Sequence, residues 1–198
     1  DWTISGILLH ENRYSMMPEK VGDYYNSMID KMISSTPSSS IDNTGIALSV
    51  SANLKGQDVG FYYANQYIDN QVFKTNMLGF AYNKAVSQFL IKTEIAYFDN
   101  YDNNQINSKL DSLIGLEYNG IDDGNFSLEI ANKDNEIQYA TRFTQGYINQ
   151  TLNFTALYSG FTKDLSGGSF FRMWFDYDID DELSTNIGMV NYSGGTKL

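Results

Sequence analysis

The sequence predicts an all-β protein and, within that class, an up-and-down antiparallel transmembrane β-barrel of about eleven strands. Three observations lead there. Runs of alternating apolar and polar residues recur in pairs around clusters of turn formers, the connections between runs alternate between compact and long, and the apolar faces of the runs quoted below carry no charged residue. Alternation alone would also suit a sheet resting on a soluble core, so connections and charges carry the distinction.

The chain opens with a strand in "DWTISGILLHENRY". The first hairpin pairs "TGIALSVSANL", with Ile46, Leu48, Val50, Ala52 and Leu54 on one face, with "VGFYYANQY", where Val59, Phe61 and Tyr63 align, through the turn "KGQD". The second joins "NMLGFAY" to "FLIKTEIAYF" through "NKAVSQ", placing Leu78, Phe80 and Tyr82, then Phe89, Ile91, Ile95 and Tyr97, on the greasy sides. In the third, "SLIGLEYNGIDDGNFSLEIA", Ile114, Leu116 and Tyr118 share a face before the turn, and Phe126, Leu128 and Ile130 share one after it. A fourth joins "YATRFTQGY" to "TLNFTALYSGF" through "INQ", and a fifth joins "FFRMWFDY" to "LSTNIGMVNY" through "DIDDE".

One segment breaks the rhythm. Between the first two strands, residues 21–34 place Val21, Tyr25, Met28, Ile29, Met32 and Ile33 at helical spacing, which predicts one short helix in an outer loop. Such a helix either folds into the mouth of the barrel or caps its rim.

After each compact turn comes a longer polar segment: "IDNQVFK", "DNYDNNQINSKLD", "NKDNEIQ" and "TKDLSGGS". Short turns on one side and long loops on the other are the habit of outer-membrane barrels, whereas a Greek-key sandwich has no reason to sort its connections. The faces opposite the apolar ones hold Lys92, Glu94, Glu117, Glu129, Arg142, Arg172 and Asp176, charges of both signs that suit a watery lumen. Glu117 and Glu129 are expected nearly opposite one another across their hairpin, a repulsion that Lys92 or Arg142 could relieve. Aromatics fall near the ends of runs. Tyr82, Phe89, Tyr118, Phe126 and Tyr177 flank compact turns, and Tyr63, Tyr97, Tyr139, Tyr158 and Phe171 lie near the longer loops, as rings with a polar tip would at two membrane interfaces.

Composition narrows the partners. With 198 residues the chain is read as one domain, 1–198, and a formal net charge of -11 with no basic stripe argues against nucleic acid. Fifteen Tyr and 12 Phe against 2 Pro favour strands, and the lack of Cys removes disulfides, thiolate catalysis and cysteine metal sites. No apolar run approaches the roughly 20 residues of a membrane-spanning helix, which leaves strands free to span.

The stretches "WTISGILLHENRY", "PEKVGDYY", "NTGIALSVSANLKGQDVGFYYANQY", "FLIKTEIAYF", "LIGLEYNG" and "FFRMWFDYDIDDELSTNIGMVNYSG" resemble the C-terminal half of a family of Gram-negative outer-membrane proteins known only as a domain of unknown function. The resemblance implies a porin-like barrel in the outer membrane and brings no catalytic residues with it. A chain that stops at "NYSGGTKL" lacks the aromatic-ended closing strand of such barrels, and eleven is odd where even strand numbers are usual. The expectation is a barrel incomplete at both ends.

Other chemistry finds little support in the chain. His10 and Glu11 are neighbours, but adjacent strand residues point to opposite faces, so the pair cannot act together from a regular strand and a structural or luminal His10 is expected. The acidic turns "DIDDE" and "GIDDG" lack the spacing of an EF-hand loop and read as solvated turns. No cofactor, metal or catalytic site is expected. The leading function is a passive channel for small hydrophilic solutes, with Lys92, Glu94, Glu117, Glu129, Arg142 and Arg172 as pore-lining candidates or, alternatively, as wall-to-wall ion pairs. The other readings are a non-transporting envelope scaffold or surface-binding barrel, and an outer-membrane hydrolase that depends on His10. Expected partners are outer-membrane lipid and lipopolysaccharide, the barrel assembly machinery and small solutes.

Overall fold

Alternation along the chain becomes eleven antiparallel strands. The computed structural model describes residues 1–13, 36–68, 73–100, 108–133, 135–162 and 166–195. The strands are β1 (Trp2–Leu9), β2 (Gly45–Asn53), β3 (Gln57–Gln66), β4 (Thr75–Val86), β5 (Phe89–Asp99), β6 (Lys109–Ile121), β7 (Gly124–Lys133), β8 (Glu136–Tyr147), β9 (Leu152–Phe161), β10 (Ser169–Asp178) and β11 (Ser184–Ser193). They form one sheet in chain order, each strand beside its sequence neighbours, as the up-and-down reading expects. The only other regular element among the described residues is a single 3-10 turn at Ile41–Asn43. The helix expected over residues 21–34 lies outside the described residues.

The chain divides into two compact units. The first comprises Asp1–Ala52, Gly60–Phe80 and Ala96–Lys109. In it β1 and β2 pair from Trp2 opposite Ala52 to Leu9 opposite Gly45, and Phe61 and Phe80 stack with ring centroids 5.3 Å apart. The 3-10 turn is tied down there: Tyr67 Oη donates to Asn43 Oδ1 at 2.9 Å, and Lys74 Nζ donates to the carbonyls of Asp42 and Thr44 at 2.7 and 2.8 Å.

The second unit comprises Asn53–Val59, Ala81–Ile95 and Leu110–Leu198. Its compact turns are bonded to one another: Asn119 N–H donates to the Gln88 carbonyl at 2.8 Å, Gly146 N–H to Asp123 at 2.8 Å, and Asp178 N–H to Thr151 at 2.9 Å. Lys55 and Gly56 both take positive φ, 53° and 81°, the geometry of a type I′ hairpin turn whose twist suits the flanking strands.

Three sequence expectations are corrected. The turn read as "NKAVSQ" narrows to Ser87 and Gln88, with Ser87 at φ 55°, because β4 continues to Val86. That extension puts Lys84 on the same face as Tyr82, close to the turn, where a long side chain can carry its charge to water. "NKDNEIQ" is not a long loop. Lys133 and Glu136 are already a strand pair, so only residues 134–135 connect β7 to β8, fewer than the four between Tyr147 and Leu152. Third, Glu117 and Glu129, expected nearly opposite, are diagonal: Glu117 faces Ser127, and Glu129 faces Gly115.

This last shift has a physical origin. A two-residue turn at Asp122 and Asp123, starting from Ile121 opposite Gly124, would pair even-numbered residues of β6 with odd-numbered ones of β7 and set Tyr118 against Ser127. Both apolar faces here fall on even numbers. The irregularity between Tyr118 and Ile121 slips the register by one, and Tyr118 meets Phe126 instead.

Among the described residues the only buried apolar side chains are Ala52 and Ala64, and no large side chain is fully buried. Ile114 is 64% exposed, Leu116 41% and Leu128 40%. Phe154 and Phe175 do stack, at 4.9 Å, but as direct partners on β9 and β10 and not across two layers. The apolar side chains of this sheet therefore touch neighbours within it and leave their outer surfaces uncovered.

Candidate functional site

The polar face of the second unit is built by the strand ladder. Glu117 pairs with Ser127, Ser127 with Arg142, Arg142 with Leu157, and Leu157 with Arg172, so three of the six candidates share one row running from β6 to β10. Neighbouring strands lie about 4.8 Å apart, which spaces these three roughly 10 Å from one to the next. The adjoining row runs Gly115, Glu129, Ala140, Ser159 and Phe170.

Lys92 on β5 reaches Glu117 on β6, with Nζ and Oε2 3.0 Å apart. Glu117 Oε1 also accepts from Asn125 Nδ2 at 2.9 Å, and the same amide donates to Asn119 Oδ1 at 2.5 Å. Glycine makes room for this. A β-carbon at Gly115 would stand 3.3 Å from Glu129 Cγ and 3.4 Å from Lys92 Cβ, so the bare backbone lets both side chains lie across it.

Lys92, Glu117, Glu129 and Arg142 line one depression of about 540 Å³, together with Asn125 and Leu157. Asn119, Asn125 and Arg142 continue into a second, of about 620 Å³, at the turn end, where Gln150, Asn153 and Asp176 supply amide and carboxylate groups. Glu94 and Arg172 line neither. Glu94 is two residues along β5 from Lys92, on the same face and exposed. Arg172 lies over the Trp174 ring, its guanidinium carbon 4.5 Å from the centroid. Asp176 is engaged by Asn186, whose Nδ2 donates to it at 2.6 Å.

Sequence reasoning missed Asn125, Gly115, Leu157 and Trp174. The last had a legible signal, since Arg172 and Trp174 are two apart on a strand and must share a face. On the other face, rings meet across strands: Phe89 with Tyr118 at 4.9 Å, Phe143 with Phe154 at 6.3 Å, and Tyr139 with Tyr158 at 6.3 Å.

The residues considered for other chemistry have partners of their own. His10 Nδ1 lies 3.3 Å from Thr44 Oγ1, while Glu11 binds Arg13 through Nε and Nη2 at 3.0 and 2.8 Å, so the two neighbours are directed apart. In the turn after β10, Asp180 Oδ1 accepts the backbone N–H groups of Glu182 and Leu183, each at 2.9 Å. That oxygen closes the turn.

No protein-family model matches the chain, and no curated protein does. Solved structures do. A triple mutant of the porin from Rhodopseudomonas blastica is 16% identical and superposes with a TM-score of 0.56 over 79% of this chain and 52% of its own. A double mutant of the same porin gives 16% identity and a TM-score of 0.54 over 77% of this chain and 54% of its own. The chain thus spans about half the length of the porin chains it matches. The likeness is one of fold: the chain has the strand architecture of a porin-like β-barrel.

Proposed function

We propose that this chain is the wall of an outer-membrane channel in a Gram-negative envelope, through which small hydrophilic solutes pass without energy input. The observation that carries the reading is one sheet with an uncovered apolar face and a charged opposite face. A water-soluble protein rarely leaves apolar patches larger than a few hundred Å² exposed, and hydrocarbon is the neighbour such a face fits. Strand length agrees. The strands from β2 to β11 contain 9 to 13 residues, and a bilayer-spanning strand needs about 9 to 11.

Outer-membrane lipid and lipopolysaccharide would cover the apolar face, and the barrel assembly machinery would insert it. Water and solutes would meet Lys92, Glu117, Glu129, Arg142 and Arg172. The role needs no catalytic group. Planar-bilayer recording of the full-length protein tests the proposal. Discrete, long-lived, ohmic conductance steps are expected, and a correctly inserted protein that never conducts would refute passage.

A further inference from the structure

We propose that Arg142 and Arg172 form a binding station for an organic anion, a carboxylate or phosphate monoester whose aromatic or apolar body rests on Leu157 and Trp174. The proposal rests on the reading of this face as the water-filled one.

The charges on this face are not equivalent. Lys92 is held by Glu117, and Glu117 is held in turn by Asn125. Asp176 is held by Asn186. Neither Arg142 nor Arg172 makes an ion pair with a carboxylate among the described residues, and Glu129, diagonal to Arg142 in the ladder, makes none with it. Among the described residues, two guanidinium groups therefore stand on one face of the sheet with no carboxylate on their donors.

Position turns them into a site. Arg142 and Arg172 flank Leu157 directly in the ladder, one strand to each side, about 10 Å apart at the backbone. Side chains of this length can converge on a single oxyanion from that separation. The cation–π contact with Trp174 holds the plane of the Arg172 guanidinium and leaves its N–H edge free for the bidentate geometry that carboxylate and phosphate oxygens match. Leu157 and Trp174 are apolar groups beside these two charges, and Phe170, Val190 and Tyr192 extend the apolar part of this face toward β11. They offer contact area that a bare inorganic ion cannot use. A depression of about 540 Å³ opens on the Arg142 and Leu157 side, and Arg172 and Trp174 stand outside its lining.

Of the two tryptophans in this chain, Trp174 stands beside the two arginines, so an emission change that Trp2→Phe keeps and Trp174→Phe removes reports on the site. Full-length Trp2→Phe protein in detergent micelles would be titrated with phenyl phosphate, with inorganic phosphate and benzyl alcohol as partial probes. A saturable change in Trp174 fluorescence with phenyl phosphate is expected, about tenfold tighter than with either partial probe. Arg142→Gln and Arg172→Gln should each weaken it about tenfold, and the charge-retaining Arg142→Lys and Arg172→Lys by less. No saturable response, or affinities in both Gln variants within twofold of the parent, would overturn the proposal. The same protein in bilayers separates the two readings: binding without conductance supports this site and refutes the channel, and conductance without binding overturns this site alone.

Discussion

Arginine placed at two positions on the apolar face distinguishes hydrocarbon from water as its neighbour. Leu128 is the fifth of ten residues in β7, and Tyr147 is the last residue of β8, beside a turn. Both lie on the apolar face, and they are similarly exposed, 40% and 47%. A ten-residue strand rises about 34 Å, and tilted by about 45° it spans roughly 24 Å, close to the height of an outer-membrane apolar band. In a bilayer Leu128 would then sit near the midplane and Tyr147 at the interface. Arginine costs about 2–4 kcal/mol at the midplane and about 0–1 kcal/mol at the edge. The first figure is a roughly 30- to 900-fold change in the folding equilibrium. If water covered this face, similar exposure would give similar costs. The assay is equilibrium folding of the full-length protein into phospholipid vesicles across a urea series, followed by tryptophan fluorescence. Leu128→Arg and Tyr147→Arg agreeing within about 0.5 kcal/mol would refute the reasoning.

Two further outcomes are expected. In a double-mutant cycle of Lys92→Gln and Glu117→Gln, the coupling energy should be about 0.2–1 kcal/mol, because the pair, though 3.0 Å apart, keeps 32% and 25% of its side-chain surface in solvent; the same vesicle-folding assay reads it. Asp180→Ala removes the acceptor of two turn N–H groups and should destabilise the protein by about 1 kcal/mol, with the melting temperature of the parent unchanged by added calcium or EDTA.

Faces are legible in the sequence because side-chain direction along a strand follows from period two alone. Leu116 and Leu128 on one side, with Glu117 and Glu129 on the other, need nothing more. Register is harder, although the signal exists. Two even-numbered apolar faces joined by a two-residue turn require an extra residue somewhere, and the structure places it between Tyr118 and Ile121. Strand ends at "NKAVSQ" and "NKDNEIQ" mislead because polar residues look like loop, whereas ladder hydrogen bonds hold polar strand ends as readily as apolar ones. Within the candidate site, composition and alternation place all six charges on one side of their strands. Which are neutralised and which stand free depends on cross-strand partners such as Asn125 and Trp174, and those become visible only once neighbouring strands are aligned.

The neighbour-only strand order has a consequence for how such a protein grows. Among the described residues every ladder joins strands adjacent in the chain, so each hairpin can zip onto the preceding one without waiting for a distant stretch to arrive. Duplicating or deleting one ribbon would widen or narrow the wall by two strands and disturb only the seam where the change was made.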